Sequence, residues 1–336
     1  MSQRLYGKPW WSLFAKVATG AIFLLAASLG GSHSSNAESA ERILPFSSSY
    51  SVGNLMAVEG APESYGTCKG RLVSEARGVV KLPPGKQIQF APNGTFYQHP
   101  ECLLKLPRDA FDYVEVRFLS MADEEDALCD RAIPYLGRIS SLKGIDLDKS
   151  DTSDASLSRL GAMPQLLTLT ACETRVTGSC LPALSGCKKL TALRLTNVVV
   201  NNESLRALKD FPHLQRLALV RVDLSLRGVE HISKCTELQM LDINYNHHID
   251  DRAVPFLLKL PKLKTLWLSG SSVSLHALEQ LAALHLQSVG LPKKFSSYSP
   301  KEQQRIKKAF PLVSFGRSKA PTVDSFTNTM FAPITR

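Results

Sequence analysis

Leu190 to Val220 read LTALRLTNVVVNNESLRALKDFPHLQRLALV, and the opening L-x-x-L-x-L returns at Leu214, Leu217 and Leu219. The same phrase recurs along roughly half of the chain. Its first column holds Leu142, Leu166, Leu190, Leu214, Leu238, Leu263 and Leu286, with steps of 24, 24, 24, 24, 25 and 23 residues. Three residues later stand Ile145, Leu169, Leu193, Leu217, Leu241, Leu266 and Val289, and two further on Leu147, Ala171, Leu195, Leu219, Ile243, Leu268 and Leu291. A spacing of two sends both side chains to one face of a strand. The rhythm then changes. Leu157 with Leu160, Leu181 with Leu184, Leu205 with Leu208, Val229 with Ile232, Val254 with Leu257 and Leu278 with Leu281 are three apart, the stripe of a short helix.

Each unit is therefore strand, turn, helix and return. One unit of this length cannot enclose its own apolar stripe, so it is stable only when neighbours stack on both sides. Burying one Leu is worth roughly 1.5 to 3 kcal/mol, and several per unit offset the entropy of ordering the coil. A further column holds Ile139, Met163, Cys187, Phe211, Cys235, Leu260 and Ala283. Its apolar character predicts that Cys187 and Cys235 are buried structural thiols.

The pattern resembles the leucine-rich repeat family. The unit is similar to the bacterial L-x-x-L-x-L-x-x-x-x-V-T-D type, seen as Val176-Thr177, Val273-Ser274 and Thr152-Ser153-Asp154, and to the cysteine-containing repeats of ubiquitin-ligase substrate receptors. The resemblance implies an α/β fold: a right-handed solenoid, or horseshoe, with a parallel inner sheet and short outer helices. It also implies protein binding without catalysis. The ubiquitin-ligase role is not expected, since no F-box-like helical segment precedes the repeats and the amino terminus reads as an export signal.

That signal spans 1–37. Arg4, Lys8 and Lys16 form its positive end, Val17 to Gly30 the apolar run, and Ser35-Asn36-Ala37 a small-residue cleavage site. The apolar run is short for a bilayer span, which needs about 20 residues. The competing reading is an uncleaved anchor that recruits Trp10 to Phe14, which Lys16 interrupts. With cleavage the chain is periplasmic or extracellular, with no membrane span.

Residues 38–78, rich in Ser, Gly, Ala and Glu, are expected to form a loose lead-in. From 79 to 137 the pattern is irregular: Ile88 and Phe90 alternate like a strand, Pro92 to Gly94 make a turn, Cys102 to Leu106 suit a short helix, and Tyr113, Val116 and Phe118 restore the repeat rhythm. These residues are expected to form a cap and two irregular coils. Asp130 to Leu136 echo Asp251 to Leu257 in a distant unit. Regular repeats occupy 138–291. Over 292–315, Ser299-Pro300 opens a capping helix, and Leu312 to Phe315 are expected to add a last strand. Residues 316–336 read as a flexible tail.

The net charge of +10 is unevenly placed. Arg4, Lys8 and Lys16 account for +3, which leaves +7 for 38–336. From Pro292 onward nine Lys and Arg face Glu302 and Asp324, also +7, so the repeat body is neutral. The basic end, with Lys293, Lys294, Lys301, Arg305, Lys307 and Lys308, supports an alternative function: a cell-envelope structural protein binding anionic polymer or lipid. Nucleic acid is not expected, because export argues against it and no aromatics are expected to interleave with these cations as stacking platforms. Of seven cysteines, at least one is unpaired. Cys68 with Cys102, or Cys102 with Cys129, would staple the amino-terminal cap.

No G-x-S-x-G, H-E-x-x-H, phosphate loop or dinucleotide fingerprint is present. Asn244-Tyr245-Asn246-His247-His248-Ile249-Asp250-Asp251 groups two His with two Asp, but it falls in the unit with the extra residue and reads as a polar loop. No cofactor or metal is expected. The candidate surface is the outward row of the strands, centred on Trp267, Asp242, Arg216 and Arg194, with Asn244, Tyr245 and His247 on the adjoining turns. Trp and Arg dominate protein interfaces; alternatively, Trp267 packs along Arg or Lys stems of its own sheet. Seven strands about 4.8 Å apart give an inner strip of roughly 350 Å², less than the ~800 Å² per partner of a standard interface. A protein must then also use the turns, or the ligand is a narrow peptide or glycan.

Overall fold

A computed structural model describes residues 41–58, 70–117 and 128–315. The export segment 1–37, Cys68, Phe118 and the tail 316–336 lie outside the described residues. Everything below concerns the compact unit Ala37–Val313 and the two residues that follow it.

The strands are β1 (Ile43–Pro45), β2 (Gly53–Val58), β3 (Gly70–Glu75), β4 (Val79–Lys81), β5 (Ile88–Pro92), β6 (Tyr113–Glu115), β7 (Gly144–Asp146), β8 (Thr168–Cys172), β9 (Ala192–Thr196), β10 (Arg216–Val220), β11 (Met240–Asp242), β12 (Thr265–Trp267) and β13 (Ser288–Gly290). From β5 to β13 each strand pairs in parallel with the next in sequence. The register advances by one repeat per strand: Leu169, Leu193, Leu217, Leu241, Leu266 and Val289 are successive partners. All members of the three strand columns are at most 8% exposed, so one continuous core runs under the sheet. The chain is an α/β repeat solenoid.

The return segments carry short helices at Asp154–Leu157, Asn202–Asp210, Leu226–Ile232, Val254–Leu257 and Leu275–Gln280. Leu181 and Leu184 are buried as the stripe requires, but their segment is a chain of turns, not a helix. Pro182 has no N–H to donate there, and Gly178 adopts φ +85°. Cys187 and Cys235 are buried in their column, while Ala283 is exposed near the carboxy-terminal end.

Two expectations are corrected. Residues 41–58 and 70–78 are no loose lead-in: β2 adds antiparallel to β5, β3 adds antiparallel to β2, and β1 pairs with β4. An open solenoid end exposes strand edge and core, and these strands cover it. Beneath them Phe90 packs on Phe96 and Phe111, with ring centroids 5.4 and 5.1 Å apart. At the other end, Leu312 to Phe315 form turn and irregular chain instead of a strand. The helix Pro300–Ala309 closes that end by burying Ile306 and, at its cap, Phe310.

Cys102 and Cys129 are both buried thiols, so no disulfide joins them. Burial and the nearby Asp151 carboxylate push the Cys129 thiol up.

Successive coils are also tied by side chains. Asp130 accepts from Ser153 N (2.7 Å), Asp154 from Thr177 N (2.7 Å) and Asp251 from Ser274 N (2.7 Å). Each carboxylate at a helix start thus caps the next coil, which explains the Asp-led echo and the V-T/S positions. Burial opposes ionisation of Asp154, but the hydrogen bonds from Thr177 and Cys180 outweigh it and hold the carboxyl below its usual range.

Candidate functional site

On each strand the residues between the apolar columns face away from the core. Over the amino-terminal half they spend their polarity on each other. Arg117 reaches Glu115 (2.6 Å) and Asp146 (3.2 Å), and Thr170 donates to Asp146 (3.0 Å). Arg194 bonds Asp148 and donates from Nε to the Cys172 sulfur (2.9 Å), while Cys172 N donates to Asp148 (2.9 Å). Burial and then Asp148 push the Asp146 carboxyl up against the pull of Arg117. Burial would lower the Arg194 pKa, but Cys172 and Asp148 hold it above its ordinary value. The Cys172 thiol is pushed up to about 12, chiefly by burial, so it is no nucleophile at neutral pH.

Over the carboxy-terminal half the expected surface divides. Trp267, Arg216 and Met240 are half-buried, and His247 is exposed. Asp242 and Asn244, expected to face a partner, are buried. Asp242 accepts from Asn244 N (3.1 Å), and Asn244 accepts from Ser269 N (2.7 Å). Their side chains are short, and longer neighbours on strands about 4.8 Å away shield them. The centre of four residues therefore does not form one exposed patch: Arg194 belongs to the Asp148 network, and Asp242 lies beneath the surface in the row that carries Ala218 and Trp267.

Trp267 lies across β13. A Cβ built on Gly290 would stand 2.7 Å from its Cε3, so the absent side chain at 290 is what lets the indole rest there. Tyr245 sits on the turn after β11 with φ 60°. Its ring packs against the Ala192, Ala218 and Val220 cluster and carries the Arg221 guanidinium 5.4 Å from its centroid.

Tyr245 belongs to a column that sequence reading missed. Lys149, Glu173, Asn197, Arg221, Tyr245 and Gly270 all take positive φ at the residue that leaves the inner face. Only Asn197 and Gly270 carry a residue type that signals this conformation. The column turns these side chains to the rim beside the strands.

The cluster from Asn244 to Asp251 comes apart. Asn246 is buried and bonds backbone, His248 pairs with Asp223 (3.3 Å) at the surface, Asp250 pairs with Arg252 (2.8 Å) and Asp251 caps the next coil. Among the described residues no group of three or more His, Cys, Asp or Glu is placed to hold a metal ion.

The sequence matches no protein-family model and no curated protein sequence. Among solved structures, an internalin from Listeria monocytogenes aligns with 62% of this chain and 82% of its own, at 13% identity and a TM-score of 0.30. The fold assignment rests on the parallel sheet and its register, not on that likeness.

Asp242 makes a pH test. Burial raises its carboxyl to about 7, against the hydrogen bond from Asn244 and the charge of Arg194. A raised folded pKa means the stability is full below the ordinary aspartate value near 4 and is lost as pH rises through about 7. Asp242→Asn keeps an acceptor for Asn244 N. It is expected to be more stable than the parent by roughly 2 kcal/mol at pH 8 and to flatten the slope between these pH values in urea unfolding. An unchanged slope would place the titration elsewhere.

Proposed function

We propose that the chain is a non-enzymatic protein-binding module that works outside the cytoplasm and docks its partner on the carboxy-terminal half of the inner face. The observation that carries this reading is the half-buried Trp267, with the half-buried Met240 and Arg216 in the adjacent outward row of β11 and β10, and Tyr245 and Arg221 on the adjoining rim. Trp, Tyr and Arg supply most hot spots because they bring large, rigid apolar area with a polar handle. The amino-terminal half, committed to the Asp146–Arg194 network, contributes shape. Because the strip is narrow, the rim from Arg221 to His247 is part of the footprint. Export is supported by the charge and apolar pattern of residues 1–37.

Trp267→Ala tests it. Trp267 is not in the apolar columns, so the variant is expected to keep the parent far-UV circular dichroism. It is expected to lose capture of a specific protein from envelope extract by about 30-fold, the effect of a hot spot of ~2 kcal/mol. Undiminished capture by a folded variant would remove Trp267 from the interface.

A further inference from the structure

The basic carboxy-terminal end is a second surface, independent of the inner face. Its described residues 292–315 hold six cations, Lys293, Lys294, Lys301, Arg305, Lys307 and Lys308, against Glu302, a net charge of +5. The helix Pro300–Ala309 begins with a capping box between Ser299 and Glu302, so the nearest acid is bound into the helix start. Ile306 is its buried residue. At about 100° per residue, Lys301, Lys307 and Lys308 fall on the half opposite Ile306, and all three are exposed.

The structure removes one cation from this set. Arg305 is held by Glu279 through two contacts of 2.7 and 2.6 Å and is neutralised. Two lysines are instead tied to aromatic rings, which corrects the expectation that no aromatics interleave with these cations. Lys293 stands 5.3 Å from the Tyr298 centroid and Lys307 5.7 Å from that of Phe295. The loop 293–298 and the helix thus share one basic surface. Just past the helix, Leu312 is 65% exposed.

We propose that this end docks peripherally on a membrane surface of anionic phospholipids, with its lysines at the headgroups and Leu312 entering the interface. The charge complementarity is that of any polyanion, but the exposed Leu312 decides for lipid. An exposed apolar side chain four residues past Lys308 is stabilised by entering an acyl boundary and gains nothing from a soluble polymer. Each lysine near an anionic surface strengthens attachment by about fivefold and burial of a leucine by about tenfold or more, and the electrostatic part weakens with salt. No described helix is long and apolar enough to cross a membrane.

The test is co-sedimentation of the full chain with phosphatidylcholine vesicles, with and without phosphatidylglycerol. Binding is expected only with phosphatidylglycerol. It should fall about tenfold in Leu312→Ser and about a hundredfold in Lys301→Gln/Lys307→Gln/Lys308→Gln. The apolar stretch Val17 to Gly30 is common to every variant, so attachment through it would leave all of them sedimenting like the parent and would overturn the proposal. Leu312→Ser without effect, combined with competition by inorganic polyphosphate, would make the end a polyanion site and overturn the lipid assignment. Circular dichroism checks folding; should the triple variant unfold, Leu312→Ser decides alone. A negative result here leaves the inner-face reading untouched, because none of these residues lies on it.

Discussion

Asn246→Ala is expected to lower the unfolding free energy by about 3 to 5 kcal/mol, far beyond the effect of an ordinary surface-loop substitution. Asn246 is buried. Its Oδ1 accepts from Val222 N (3.1 Å) and Leu224 N (3.0 Å), and its Nδ2 donates to Leu219 O (2.7 Å) and Ile243 O (3.0 Å). These are the backbone groups of two successive coils where the strands end. Removing the amide leaves several buried donors and acceptors without partners, each costing about 1 to 3 kcal/mol unless water enters. Asn246→Asp keeps the acceptor but buries a carboxylate with one oxygen facing the Leu219 and Ile243 carbonyls, so at neutral pH it should cost at least as much as the Ala variant. Urea denaturation measures both. A loss below ~1 kcal/mol for the Ala variant would show that water replaces the side chain easily.

The second large effect concerns the core register. Leu217 is fully buried, with Leu193 and Leu241 as its cross-strand partners. Leu217→Asp removes an apolar side chain worth about 2 to 5 kcal/mol with its cavity and adds a buried carboxyl with no counterion. A loss above about 5 kcal/mol approaches the whole stability of an ordinary domain, so the variant is expected to lose β9 to β11 at neutral pH. Because each coil is supported by its neighbours, the loss should spread beyond one repeat. Far-UV circular dichroism and proteolysis read it directly. A folded, unchanged Leu217→Asp protein would contradict the register.

The two substitutions also show what the sequence makes visible. Leu217 was legible because its column repeats at a nearly constant step, and only stacking explains so regular a burial pattern. Asn246 was not. It occurs in one coil, among His and Asp residues, and looks like loop polarity until the backbone groups it satisfies are known. The strands β2 and β3 were invisible for a related reason: an added edge strand needs little amphipathic contrast, and Leu55 is the large apolar residue of β2 that becomes fully buried. At the candidate site the alternation puts Trp267, Arg216 and Asp242 in the rows between the apolar columns. It cannot separate the half-buried Trp267 from the buried Asp242, because shielding depends on the side chains of neighbouring strands. The sequence marks Tyr245 only by its loop position; its left-handed backbone and the Arg221 contact come from the structure.

The inner face and the basic end give this chain two surfaces of different chemistry. One presents aromatic and guanidinium groups over a strip of small residues. The other presents lysines and a single exposed leucine. The first is the proposed docking face. Hydrogen exchange by mass spectrometry of the chain, alone and bound to the protein captured by the parent but not by Trp267→Ala, tests it most directly. Protection is expected over 216–221, 240–248 and 265–270, with unchanged exchange over 293–312. Protection confined to the return helices or to 293–312 would contradict it.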